Sequence, residues 1–420
     1  MPQAHTQVTC KSHKSCDLLK VALLVMLPII LSGCPRSHRT ETDTQLLSPG
    51  SPRASSGAVP EYRPASGLMV SAELDQFINL QDFLAKIAQS GLKKLTVIDN
   101  TFQNNSKRWP NESGSLKIDK MVFDGIQRTS LWVRDYGPIW TKQPDGQLGN
   151  LDFKYFRNGK PTFEDHVGHA YQCKASVPSQ KVDLVFEGGN LALAQLQGKL
   201  FCLTTDEFTE RNKDRGDPKE VLKQATGCQE VIVFGSLLGE STRHVDIWLK
   251  PLKDGVIAVA QLSDQSRDAA QSLGDNDEGD SPEDFAHDNQ RFLNNAAKAL
   301  QARGFRVVRL PMPTPLTKAD LYKRDDPTYR TYLNSLILNN HVYVPRYRMP
   351  HSILGLKQYP DSPLIAAYEK SVESVYRAEG LTVHWIDSDY LITQGGSIHC
   401  VTSQIPQCDE ECRPLKRQKT

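Results

Sequence analysis

The sequence predicts an α/β fold in which five helix–strand units close into a ring. An amphipathic helical stretch, a short Gly-containing or polar turn and a β-branched strand recur four times, and a weaker copy fills the one long gap, giving a period of roughly 70 to 75 residues. Further strand pairs lie between the units, with turn signals such as Asp145-Gly146 and Asn339-Asn340. No GxGxxG turn occurs, and helix–strand units alternate with hairpins, which disfavours an open doubly wound sheet. Such units cannot bury their faces singly, but a ring of them can.

From the amino end, Lys11, Lys14 and Lys20 precede an apolar run, Val21 to Gly33, that is too short to span a bilayer comfortably. It ends in LSGC, Leu31 to Cys34, which resembles a bacterial lipobox. That resemblance implies a signal peptide over residues 1–33, lipid on Cys34, and an exported protein anchored in the bacterial cell envelope. An uncleaved anchor or a core helix is the alternative. Residues 34–67 are rich in Ser, Pro, Thr and Arg without hydrophobic period, and read as a flexible tether. Folding is expected from Leu68 to residue 408, with a tail over 409–420.

The helix–strand copies begin at Leu80, Lys219, Asn289 and Ala366, with strands centred on Val97, Val233, Val308 and Val383. The weaker copy combines FEDHVGHAYQC, from Phe163, with VDLVFE, Val182 to Glu187. A polar, acid-rich stretch from Gly274 to Asn289 reads as a solvated insertion, because its spacing does not follow a calcium-binding loop. The net charge of +1 offers no basic excess to recruit nucleic acid. Of nine cysteines, Cys10 and Cys16 would leave with the signal peptide and Cys34 would carry lipid. In an oxidising compartment Cys408 and Cys412 are one candidate pair, and Cys173, Cys202 and Cys228 can supply another. Cys400 must stay unpaired to react.

Polar residues interrupt apolar strands once in nearly every unit: Asp135, Glu187, His244 with Asp246, Asn334, and Cys400 in GGSIHC. Each has an ordinary structural explanation. Asp135 can cap the turn before Gly137-Pro138, Glu187 can accept turn N–H groups, and His244 can be a core histidine partnered by Asp246. Asn334 can be a strand-end hydrogen bonder, Arg157 a surface charge, and Cys400 a small buried hydrophobe. Their recurrence at equivalent turns favours a shared central site. His399, next to Cys400 on an expected strand, should face away from it.

No CxxC or HExxH occurs, so no metal site is indicated. Acids beside a thiol suit a cation, and a planar guanidinium offers a fork of N–H donors for bidentate carboxylates. The same acids should raise the Cys400 pKa until a cation arrives. His244 is then placed to protonate departing ammonia and deprotonate water.

At these residues the chain resembles the agmatine deiminase and bacterial peptidylarginine deiminase family, whose fold is a five-bladed α/β-propeller (pentein) of ββαβ-type units. The motifs are RDYGP, EGGN, HVD, YLN and GGSIHCVTSQ with its following proline, and they span roughly Leu68 to Pro406. The resemblance implies a hydrolase of amidine C–N bonds without organic cofactor. In it Cys400 is the nucleophile, His244 the acid and base, and Asp135 and Asp246 the guanidinium ligands, with Glu187 and Asn334 in support. The stretch LDFKYFRNGK, Leu151 to Lys160, is similar to the secreted peptidylarginine deiminases rather than to agmatine deiminases. Arg157 would then bind a substrate carboxylate and Trp132 pack on the aliphatic stem. The family's second arginine is replaced by Gly159, for which Lys160 is the available substitute. The implied partner is a small guanidino compound or an arginine-containing peptide. Agmatine deimination, amidinotransfer on the same fold, and an inactive surface binding lipoprotein remain the alternatives.

Overall fold

The computed structural model describes residues 57–407 apart from 124–128, 144–145, 158, 176, 263–281, 314, 316–327 and 349–361. The fold is mixed α/β, and four of its sheets share one three-strand plan: an antiparallel hairpin, a helix, then a third strand parallel to the second. Ile139–Lys142, Leu148–Lys154 and Ser179–Val185 form the first such set. Ala192–Leu196, Lys199–Thr205 and Glu230–Phe234 form the next, and Leu249–Lys253, Val256–Gln261 and Arg306–Pro311 the third. Leu336–Leu338, His341–Arg346 and Thr382–Asp387 form the fourth. A fifth sheet is built from both ends of the described chain: Thr402–Pro406 lies antiparallel to Ala65–Ser71, which is parallel to Lys94–Asn100.

The interposed helices are those the sequence indicates. Leu80–Gln89, Val167–Ala175, Pro218–Thr226, Pro282–Ala302 and Ser362–Ala378 each precede a third strand. Local signals fix their ends. Asn79 accepts from Asp82 N at 3.1 Å, and Asp217 caps a helix that opens on Pro218 and closes at Gly227 with φ of 72°. Asn339 and Asn340, at φ of 48° and 65°, make the tight turn expected between two strands. Each helix covers its sheet with an apolar face. Phe292 meets Trp248 edge-on at 5.0 Å, and Trp248 is fully buried against Phe234.

Four expectations are corrected. Strand pairing is already in place before Leu68, within residues 34–67: Gly57–Ala58 pair with Thr141 and Lys142, and Val59 N donates to Trp140 O at 2.9 Å. Tertiary partners, not local pattern, order this proline-rich segment. The acid-rich insertion ends earlier than Asn289, because a helix already runs from Pro282, whose fixed φ suits a first helical position. Asp135 does not close a strand but sits in a helical turn, Val133–Tyr136, ended by Gly137 and Pro138. GGSIHC is a run of turns that precedes a strand, so strand alternation does not apply to His399.

Cys202 and Cys228 form a disulfide, S–S 2.06 Å. No helix among the described residues is long and apolar enough to cross a membrane. The run Val21 to Gly33, Cys34, Cys408 and Cys412 lie outside the described residues.

Candidate active site

The turn that leads into the first strand of each set carries at least one candidate group. Asp135 precedes Ile139–Lys142, Glu187 precedes Ala192–Leu196, and His244 and Asp246 precede Leu249–Lys253. Asn334 precedes Leu336–Leu338, and Cys400 precedes Thr402–Pro406. These turns converge, and six of the sequence-designated residues form one connected cluster.

Asn334 is its clamp. Its Oδ1 accepts from His399 N at 3.2 Å and Cys400 N at 3.3 Å, fixing the backbone of the cysteine turn. Its Nδ2 donates to Cys400 Sγ at 3.1 Å and Asp246 Oδ2 at 3.0 Å. Cys400 is a free, buried thiol, with Sγ 3.7 Å from Asp246 Oδ2. Asp246 Oδ1 is buried without a hydrogen-bond partner.

The histidine sits between two acids. His244 Nε2 is 2.7 Å from Glu187 Oε2, and Nδ1 is 3.8 Å from Asp135 Oδ1. Arg211 Nη1 donates to Glu187 Oε1 at 2.9 Å, and Gly189 N to Asp135 Oδ1 at 3.2 Å. Trp132 is half-buried against the cysteine turn. A β-carbon on Gly396 would stand 2.5 Å from the Trp132 ring and 3.1 Å from Cys400 Sγ, so only glycine fits between them.

Electrostatics follow from burial and this crowding of acids. Burial first, then Asp246 and Asp135, pushes the Cys400 thiol well above its ordinary pKa. Burial alone would lower His244, but Asp135, Glu187 and Asp246 outweigh it and raise the imidazole to about 10. Burial raises Asp135, opposed by His244. Glu187 is held below its ordinary value despite burial, by the His244 hydrogen bond and the Arg211 charge. Asp246 is lowered against burial by His399. The result is a neutral thiol, an imidazolium, and carboxylate capacity in excess of the cations that face it.

Arg157 lies at the rim, exposed, with Nε donating to Tyr155 Oη at 3.0 Å and its guanidinium 5.6 Å from the Tyr155 ring. Burial would lower its pKa, but Tyr155 and Asp135 raise it, which places it within the field of the site. Arg157 and Lys160 are paired across a two-residue hairpin whose turn uses Gly159 at φ of 70°. Opposed residues share a face, so the two cations project together.

Sequence reasoning missed Glu61, Lys250 and the part played by His399. Glu61 lies in PEYRP, a proline-flanked polar stretch that resembles linker, and Lys250 lies in the strand Leu249–Lys253. The charged signal was present in both, but the partners are far apart in the chain. Lys250 Nζ contacts Glu61 at 2.8 and 2.9 Å and is only 1% exposed.

Residues 79–406 match the family model described as Porphyromonas-type peptidyl-arginine deiminase. A Mycoplasma mycoides subsp. mycoides protein named for agmatine deiminase is 26% identical over 357 residues, covering 79% of this chain and 86% of that one. The agmatine deiminase of Pseudomonas fluorescens is 22% identical over 331 residues, covering 71% and 80%. Among solved structures, the substrate-bound C. jejuni agmatine deiminase superposes with TM-score 0.60 at 20% identity, covering 84% of this chain and 96% of that one. With the match spanning the whole convergent cluster, the chain belongs to the Porphyromonas-type peptidyl-arginine deiminase family, whose members are hydrolases acting on amidine C–N bonds.

Proposed function

We propose that the protein deiminates a guanidino group through a covalent Cys400 intermediate on a five-bladed α/β-propeller, the turns before the first strands forming the central site. The observation that carries this reading is the buried, unpartnered Oδ1 of Asp246 beside a thiol whose pKa burial first, and then the same carboxylate, pushes up. An unpaired buried carboxylate oxygen is costly, and a guanidinium N–H satisfies it. Asp135 clamps the other side of the cation.

The arriving charge favours the thiolate, and the thiol proton leaves to solvent. Sulfur attacks the guanidino carbon and forms a C–S bond. His244 gives its proton to one nitrogen, that C–N bond breaks, and ammonia departs. The neutral imidazole then takes a proton from water as the hydroxyl adds to the thiouronium carbon. Collapse breaks the C–S bond, the remaining hydroxyl proton returns to the thiolate, and a ureido product leaves.

The substrate class we favour is arginine in peptides or free, with the Arg157 and Lys160 pair supporting recognition of a carboxylate and Trp132 packing on the stem. We further propose that residues 1–33 are a signal peptide and that lipid on Cys34 holds the folded domain at the cell envelope. Metabolic labelling with a radioactive fatty acid, lost in Cys34→Ala, tests the anchor.

The function is tested by incubating the protein with agmatine, arginine, and peptides containing or ending in arginine, following ammonia and ureido product. Turnover is expected on carboxylate-bearing substrates and none in Cys400→Ala. Arg157→Ala should raise KM for those substrates about tenfold, the worth of one charge-assisted contact, while sparing agmatine. Activity on agmatine alone, or unaltered turnover in Cys400→Ala, would overturn the substrate assignment or the mechanism respectively.

A further inference from the structure

A single hydrogen-bonded chain joins the amino-terminal segment to the reacting centre. Glu61 Oε2 lies 2.7 Å from His399 Nε2, and His399 Nδ1 lies 2.6 Å from Asp246 Oδ2. That same oxygen accepts from Asn334 and faces Cys400 Sγ. His399 and Asp246 are each 3% exposed, and their far side borders a cavity lined by Val59, Glu61, Arg134 and Lys250. Glu61 is itself fixed: both its oxygens take Lys250 Nζ, and Arg134 Nη2 stands at 3.8 Å.

We infer that Glu61 is a positioning residue for deimination, acting through His399 on Asp246. The argument is geometric. A carboxylate on a short side chain can rotate, and only one orientation turns Oδ1 toward a guanidinium while Oδ2 stays against Asn334. The His399 bond selects that orientation, and Glu61 holds the ring that makes it. Without the His399 bond, the charges left to act on Asp246 include His244, Arg134 and Lys250, and any of them would draw the carboxylate from its substrate-facing pose. The segment from Gly57 to Ala65 is braced for this duty. Tyr62 Oη and Arg63 both reach Asp254, and Ala65 N donates to Asn339 Oδ1 at 2.8 Å. The segment that carries Glu61 is therefore held by the first, second, third and fourth sheets, with Gln195 N donating to Tyr62 Oη at 3.0 Å, rather than by its own sequence.

The inference rests on the proposed reading that Asp246 binds the cation, and one experiment separates the two. The full chain is alkylated at Cys400 with chloroacetamidine, which carries an amidinium, and with chloroacetamide, its neutral counterpart, each rate normalised to a free thiol. The wild-type ratio should strongly favour the amidinium. In Glu61→Gln and in His399→Gln the ratio should fall about tenfold or more, the scale of a misplaced reacting group. General loosening of the site would change both rates together and leave the ratio intact.

Glu61→Gln leaves the buried Lys250 ammonium without its counter-ion, so it alone can fail to fold. His399→Gln keeps the Glu61–Lys250 pair and decides the matter in that event, with its Tm compared to wild type. A folded His399→Gln with the wild-type ratio would overturn the positioning role while leaving the proposed function standing. A wild-type ratio near one would instead overturn the cation site, and the positioning role with it.

Discussion

A methyl group at position 189 would stand 2.6 Å from His244 Nδ1 and 2.8 Å from Asp135 Oδ1, closer than real β-carbons approach anything. The second glycine of EGGN is therefore space reserved between an acid and the candidate base. Gly189→Ala should cut kcat by about a hundredfold, the scale of an ångström's displacement at a reacting group, because either side chain must retreat. Steady-state kinetics beside a melting curve check this, and equal loss of fold and activity would count against it. Asp135, Glu187, His244, Asp246, Asn334 and Cys400 were legible in the sequence because each interrupts apolar surroundings near a turn signal. Glu61 was not, since its partner His399 lies 338 residues away and it sits in a short stretch between Pro60 and Pro64. Nothing local distinguishes such a glutamate from one in a linker.

Among elements, legibility followed periodicity. The helix at Leu80–Gln89 and the strand at Lys94–Asn100 carry strong apolar patterns and capping signals, and both form as read. The turns that hold the site have no period to read. LWVRD has the apolar content of a strand, yet Gly137 and Pro138 and contacts from the cysteine turn, including Arg134 N to Cys400 O at 3.1 Å, hold it as a helical turn. The disulfide acts at this scale too. Cys202 lies in the central strand of its sheet and Cys228 just past the helix that follows, 26 residues on. A loop of that length contributes roughly 3 kcal/mol by restricting the unfolded chain. Cys202→Ser should lower the denaturant midpoint accordingly, while the unmodified protein should lose the same amount on adding reductant. A midpoint insensitive to reductant would contradict the contribution.

For the molecule as a whole, the buried charges set a pH window. The folded-state pKa of His244, about 10 against an ordinary 6.5, means the imidazolium favours the fold. Its contribution is complete below about pH 6.5 and is lost as pH rises through about 10. Glu61 and Glu187 are lowered, so they stabilise above their ordinary carboxylate values and cease to do so as pH falls. Asp135, raised by burial, works against them in the acid range. Melting temperatures of wild type should therefore decline between neutral and alkaline pH, with a flatter alkaline limb in His244→Gln. Parallel limbs would show that the imidazole is not the group responsible.

The two ends of the described chain meet at one place: Thr402–Pro406 pairs with Ala65–Ser71, and Glu61 touches His399. Synthesis runs from the amino end, so a ribosome that has completed four of the sheets carries Glu61 and Lys250 but neither His399 nor Cys400. Under the proposed mechanism, the candidate nucleophile is therefore the last member of the cluster to be synthesised. A chain that stops short of His399 therefore lacks both the candidate thiol and the contact that ties Glu61 to the cluster.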